Sequence, residues 1–231
     1  MNELLYKILV KYNLQSLPIS QKIIEIPNTN RVTFASLLAE LGLNKGAEIG
    51  VECGLYSEAL CKANPNIELY SIDAWTAYRG YRDHVNQEKL DGFMEITKKR
   101  LAPFNATVIK GFSMDAVKEF KDDSLDFVYI DGNHEYKQTV DDIAEWQKKV
   151  RVGGIVAGHD YILRTNNGYL MHVPYAVNGW CDSYGIKPLF ILGAKHDEKP
   201  PKGLRDTARS WFYVKPEVVS IKKGSGDKVL T

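Results

Sequence analysis

Hydrophobic positions fall into two kinds of pattern along the chain. Leu4, Leu5, Ile8 and Leu9 are spaced as one stripe of an amphipathic helix. Pro18 and Pro27 interrupt the next segment, and Thr33–Leu41 reads as a second helix with Gly42 near its end. From Lys45 the texture changes to short apolar runs: Ala47–Val51, Glu68–Ile72, Ala106–Ile109, Asp126–Ile130, Gly154–Ala157, Pro188–Leu192 and Trp211–Val214. Helical patterns at Ser57–Ala63, Gln87–Arg100, Ser113–Phe120 and Tyr136–Lys149 separate the first five. Strand–helix alternation with apolar strands predicts a parallel sheet covered on both faces. Right-handed crossovers then give an α/β, doubly wound, mostly parallel, seven-stranded Rossmann-like sheet. The stretch Gly193–Ser210 is polar, carries Pro200 and Pro201 and shows no helical pattern, which predicts a hairpin-like return and an antiparallel late strand at the sheet edge. The organisation expected is an N-terminal helical extension over 1–45, one domain over 46–216 and a flexible tail over 217–231, with Gly224–Asp227 marking the tail.

Composition narrows the setting. A chain of 231 residues with 44% hydrophobic and 26% charged residues can bury a core, which excludes global disorder. Thirty Lys and Arg against 29 Asp and Glu leave a net charge of +1, without the electrostatic footprint of a nucleic-acid or anionic-lipid binder. No apolar run approaches the ~20 residues that span a bilayer. The N-terminal stripe is broken by charges and lacks a signal-peptide core, so a cytoplasmic protein is expected. Cys53, Cys61 and Cys181 are too few and too scattered for a disulfide scaffold or a cysteine zinc site.

Candidate chemistry gathers at predicted strand ends. In Ala47–Ser57 a strand runs into a turn containing Gly50 and Gly54, and a helix comes next. Glycines there let a ligand approach the backbone closely, at the place where open α/β sheets bind ligands. Glu52 stands where a dinucleotide fingerprint needs its second glycine, so a diphosphate is disfavoured, whereas Glu48 and Glu52 suit a cationic ligand. A tight structural turn is the plain alternative. Asp73 ends the next apolar run, 23 residues after Gly50. An acid so placed accepts hydrogen bonds from ribose hydroxyls, or simply caps a helix. Trp75 can stack on an adenine or cover the sheet. After the third run comes Lys110–Asp115, in which Ser113 and Asp115 can contact a purine or cap a helix.

Two further strand ends carry the reactive groups. Asp131 and His134 come after Asp126–Ile130, and His159 and Asp160 after Gly154–Ala157. Neighbouring parallel strands lie ~4.8 Å apart, so Asp131, His159 and Asp160 can converge on one cation with His134 beside it. Each has a plainer role as a cap, a turn residue or a satisfied histidine. The polar stretch from Tyr78 to Asn86, with Arg79, Tyr81, Arg82 and His84, is long enough for a substrate loop or is a solvated surface. Trp146 is expected in the core, and His196 is given no role.

Taken in order, these segments resemble the class I S-adenosylmethionine-dependent methyltransferases over about Lys45–Lys215. The resemblance is closest to the small-molecule branch of catechol and macrolide-sugar O-methyltransferase-like enzymes. It implies that Glu48, Gly50 and Gly54 hold the methionine part of the cofactor and that Asp73 holds its ribose. It also implies that Gly111, Phe112 and Ser113 border adenine and that Asp131 belongs to the fourth-strand motif. Trp75 joins that cofactor set. Metal-dependent members hold magnesium on a fourth-strand Asp and an acidic pair after the fifth strand, which Asp131 and Asp160 match. His159 departs from the pattern. Magnesium prefers oxygen, so a site with Asp131, His159 and Asp160 leans from magnesium toward manganese, iron or zinc, or His159 faces away and leaves two carboxylates or no site. In the sugar methyltransferases a histidine three residues past the fourth-strand Asp is the general base, the spacing of Asp131 and His134.

The resulting expectation is methyl transfer to a hydroxyl of a small polar acceptor such as a sugar, polyol or natural product, with His134 as general base. Three other readings compete: a non-methylating relative such as a metal-dependent hydroxylase-like enzyme or non-catalytic cofactor binder, a nicotinamide oxidoreductase, and a nucleic-acid methyltransferase. The absent glycine fingerprint argues against the second and the near-zero charge against the third. Residues 1–45, the Tyr78–Asn86 loop and Tyr161–Trp180 are the parts expected to choose the acceptor. The N-terminal helix fits its own sheet or a second copy, which leaves a homo-oligomer open.

Overall fold

The computed structural model describes residues 2–18, 20–78, 86–163, 165–166, 169–193 and 208–217. Arg79, Tyr81, Arg82, His84, His196, Pro200, Pro201 and the span Gly224–Asp227 lie outside the described residues.

A short lead-in precedes the alternating region. Helix α1 (Glu3–Lys11) is capped by the Asn2 side chain, which accepts from Leu4 and Leu5 N–H. Strand β1 (Ile23–Ile26) and helix α2 (Arg31–Glu40) come next. Asn30 and Thr33 form a reciprocal capping box that fixes where α2 starts. The alternating region opens with β2 (Lys45–Ile49), α3 (Leu55–Ala63), β3 (Glu68–Asp73), α4 (Gln87–Leu101) and β4 (Ala106–Lys110). After these come α5 (Ser113–Ala116), β5 (Leu125–Ile130), α6 (Tyr136–Lys149) and β6 (Val150–Gly158). A small hairpin of β7 (Thr165–Asn166) and β8 (Tyr169–Leu170), then α7 (Val173–Tyr184), β9 (Leu189–Leu192) and β10 (Trp211–Val214), complete the described elements.

The main sheet has eight strands in the order β1-β9-β10-β6-β5-β2-β3-β4. Every neighbouring pair is parallel except those that β10 makes with β6 and β9. The seven strands expected from the apolar runs are all present. The eighth is β1, which the lead-in contributes by pairing with β9. Its Ile-Ile-Glu-Ile run is too short to separate from loop by periodicity, and only its partner makes it a strand. The late strand is antiparallel as expected but does not lie at the edge. It inserts between β6 and β9, where Phe212 and Tyr213 are fully buried.

Alternation along the strands splits the core in two. Phe127 and Tyr129 of β5 face α2 and α3 with Phe34, Leu38, Tyr56 and Phe212. Val128 and Ile130 face α6 and α7 with Ile143, Trp146, Val177 and Trp211. Helices on both faces and period-two burial are what a doubly wound sheet requires. The strand order reverses between β2 and β5, so a crevice opens there at the carboxyl ends. No helix among the described residues is long and apolar enough to cross a membrane.

Candidate active site

One cavity of about 650 Å³ lies over the carboxyl ends of β2, β3, β4, β5 and β6. That volume suits a ligand of nucleotide size. Glu48, Gly50, Asp73, Trp75, Gly111, Phe112, Ser113, Asp131, His134, His159 and Asp160 all line it. Gly54 is not in its lining. Gly54 is the N-cap of α3, with φ of 77°.

The end nearest β2 and β3 is organised by backbone. Gly50 has φ of 88°, and a Cβ there would stand 2.1 Å from the Asp131 carbonyl oxygen, so only glycine fits. The turn after Gly50 hangs on Asp73. Its Oδ2 accepts from Val51 and Glu52 N–H, both at 2.9 Å, and its Oδ1 accepts from Trp75 N–H at 2.8 Å. Burial pushes the Asp73 carboxyl up, and these three bonds only partly offset it. Glu52 and Trp75 adopt left-handed backbone, φ 52° and 38°, which costs energy that the Asp73 bonds offset. Trp75 is fully buried and donates Nε1–H to the Glu52 carbonyl at 2.7 Å, covering the strand ends as one of its two expected roles requires.

Two buried acids complete this end. Glu48 is 1% exposed and accepts a short hydrogen bond from Ser57, whose hydroxyl also meets Ser71 at 2.8 Å. Burial drives the Glu48 carboxyl up to about 8, so it is mostly protonated at neutral pH. Asp142 on α6 accepts a short hydrogen bond from Ser113, which in turn accepts from Trp146 Nε1–H at 2.8 Å. Burial raises Asp142 to about 7. Asp115, one of the purine candidates, points outward and pairs with Lys118 at 2.7 Å. Phe112 stays 45% exposed and meets the Tyr78 ring edge-on at 5.5 Å, forming an aromatic lip.

The end nearest β5 and β6 is organised by side-chain charge. His134 Nε2 lies 2.8 Å from Asp160 Oδ2 and 3.8 Å from Asp131 Oδ1. Burial pulls the imidazole down, but the two carboxylates outweigh it and hold His134 well above its ordinary value. Burial likewise opposes ionisation of Asp160, yet His134 and the His159 ring hold that carboxyl well below the usual range. Asp160 itself sits at φ 56°. Asn133 accepts from Glu135 N–H at 2.9 Å and donates to Tyr78 Oη at 3.2 Å, which fixes the turn that carries His134.

Arg31, which the strand-end motifs did not single out, reaches this end from the first turn of α2. Its Nη1 donates to Asp131 Oδ2 and its Nη2 to His159 Nδ1, each at 3.1 Å. The same Nδ1 also meets Asp160 Oδ2, so it stands between the guanidinium and a carboxylate. The guanidinium also lies 5.5 Å from the Tyr56 ring centre. A readable signal existed: a cation in a first helical turn opposes the helix dipole and asks for another purpose. Asp142 had one too, being spaced with Thr139, Ile143 and Trp146 on the buried stripe of α6.

Among the described residues, Asp131, His134 and Asp160 bring three donor atoms within 4.8 Å of one another. His159, grouped with Asp131 and Asp160 on the sequence, has its Nδ1 3.3 Å from Asp160 Oδ2 and 3.7 Å from Asp131 Oδ1, with Arg31 Nη2 at 3.1 Å from the same nitrogen. Each donor of the triad already faces a partner of opposite charge: Arg31 on Asp131, and His134 on Asp160. A divalent cation placed there would have to displace the proton between His134 and Asp160 and share Asp131 with Arg31.

Residues 47–161 match the model of a methyltransferase domain family. The chain carries a methyltransferase domain, on the fold of S-adenosylmethionine-dependent O-methyltransferases. The O-methyltransferase of Bacillus cereus, solved with SAH, is 16% identical over 93% of this chain and 92% of its own, with a TM-score of 0.54. The O-methyltransferase TomG of Streptomyces achromogenes, involved in tomaymycin synthesis and solved with SAM, is 18% identical over 93% and 91%, also at 0.54. Cofactor-bound Rv0187 from MTB is 16% identical over 94% and 92%, at 0.53. These likenesses describe the fold. No curated protein sequence matches the chain. The matched span ends at Tyr161, immediately after His159 and Asp160, so it holds both halves of the cavity except what α2 and the later segments add.

Proposed function

We propose that this methyltransferase transfers the methyl group to a hydroxyl oxygen of a small polar acceptor, with His134 as general base. The observation that carries the reading is the His134–Asp160 pair, 2.8 Å apart inside the methyltransferase cavity. The residues present fit S-adenosylmethionine. The Gly50 turn admits close approach, and Glu52, Asp73 and Asp131 give the cavity the acidic character that a sulfonium requires. Gly50 and Glu48 would border the methionine part, Asp73 the ribose, and Gly111, Phe112 and Ser113 the adenine; Gly54 would act through the start of α3. When bound, S-adenosylmethionine supplies an electrophilic methyl carbon on a positively charged sulfur.

The chain's own residues handle the proton and the orientation. His134 accepts the hydroxyl proton at Nε2 as the oxygen becomes the nucleophile. Asp160 then balances the imidazolium charge at the same nitrogen. Asp131, held by Arg31, keeps its other oxygen toward His134. Alignment in the cavity supplies much of the rate. No step passes through a divalent cation, because Arg31 and His134 already neutralise the carboxylates that would hold one. Three free thiols suit a reducing, cytoplasmic setting. Calorimetric titration with S-adenosylmethionine, followed by an acceptor screen with His134→Ala as control, tests the reading. Absence of cofactor binding overturns it, and undiminished turnover by the variant removes His134 from the mechanism.

A further inference from the structure

We infer that Arg31 is a built-in cation occupying the place at the acceptor end of the cavity that relatives with an acidic pair give to a divalent metal ion. The inference rests on the methyl-transfer reading for its chemical meaning, but its test does not require turnover.

Four observations converge on it. Arg31 is the only permanently cationic residue among the described residues that line the cavity. Its side chain is only 10% exposed, so its charge is felt in a medium of low dielectric. Its guanidinium bridges Asp131 Oδ2 and His159 Nδ1, which are donors from the two strand ends where a metal would be held. And its backbone is fixed by the Asn30–Thr33 capping box, so the side chain starts from a defined point.

The chemistry separates this arrangement from a metal site. A bridging guanidinium takes up the space beside His159 Nδ1 and one oxygen of Asp131. The remaining donors, Asp131 Oδ1, His134 Nε2 and Asp160 Oδ2, lie within 4.8 Å of one another, and an ion among them would have to displace the proton between His134 and Asp160. That ion would then share the Asp131 carboxylate with a charge that no accessible pH removes. A histidine rather than an acid at position 159 is coherent with this, since an imidazole adds no negative charge beside the guanidinium. Arg31 is therefore a positioning residue. It orients Asp131 and His159 and supplies fixed positive charge where the acceptor oxygen develops negative charge.

Manganese titration of the full chain, followed by electron paramagnetic resonance, tests it. The wild type is expected to show no saturable site below millimolar manganese. Arg31→Met keeps length but removes charge, and is expected to gain one manganese per chain at least tenfold more tightly. Arg31→Lys keeps the charge and is expected to exclude the metal as the wild type does. Circular dichroism confirms that each variant is folded. A saturable one-to-one site in the wild type that Asp131→Asn abolishes overturns the inference, and so does a folded Arg31→Met that gains no site. If Arg31→Met does not fold, the wild-type titration decides alone. S-adenosylmethionine calorimetry on the same samples reports separately on the methyl-transfer reading, so failure of one is not mistaken for failure of the other.

Discussion

The two ends of the cavity are built on different physics. At the β2–β3 end, Asp73 spends both oxygens on three backbone N–H groups, and Glu48 and Asp142 are buried acids held near neutral charge by desolvation. At the β5–β6 end, Arg31, Asp131, His134, His159 and Asp160 hold one another through charge. The first is a backbone scaffold, costly to deform and indifferent to salt. The second is a side-chain network whose charges respond to proton and substrate. A binding site for a fixed cofactor benefits from the former, and a site that moves a proton needs the latter.

The largest effect should come from breaking the charged end. His134→Ala is expected to lower turnover by roughly 10²–10⁴-fold while calorimetry shows nearly unchanged cofactor affinity. A parallel loss of affinity would mean that His134 belongs to the scaffold. Next, Asp73→Ala should weaken cofactor binding by roughly ten- to a hundredfold, as loss of a charged hydrogen-bond partner does. It should also cost ~1–3 kcal/mol of stability because three amides lose their acceptor. Affinity and melting temperature that both stay at wild-type values would show that the turn does not depend on Asp73.

Smaller effects sharpen the contrast through pH. His134 is the imidazolium at rest, and its base form appears as pH rises through its raised value, so turnover should climb with pH well above 6.5. Asp160→Asn removes a carboxylate that raises it, and the acidic limb of the rate profile should move to lower pH. A limb that stays in place would detach it from this pair. Glu48 gives the opposite kind of signal, in stability. Its folded value of about 8 lies above its ordinary 4.5, so the folded state binds more protons between those values. The stability it protects is complete below pH 4.5 and is lost as pH rises through about 8, on the order of a few kcal/mol. Glu48→Gln should flatten the fall in melting temperature from pH 5 to pH 9. An unchanged slope would assign that fall to other groups.

Much of this was legible before any tertiary structure. The glycine turn, the acid ending β3 and the polar residues ending β5 and β6 stand where strand–helix alternation brings them to one edge. Two things were not legible. Strand β1 is four residues whose status depends on β9, distant in sequence. Arg31 belongs to a helix outside the alternating region, and nothing local says that its side chain crosses to Asp131 and His159.

By itself, then, the sequence determined the alternation, the face of each strand and the residues at each strand end, because these come from periods of two and about three and a half and from turn chemistry. Tertiary structure alone decided that β10 inserts inside the sheet, that His134 pairs with Asp160, and that an arginine 100 residues from Asp131 supplies the balancing charge. Those outcomes depend on distances between segments far apart in the chain, and on burial that sets what each charge is worth.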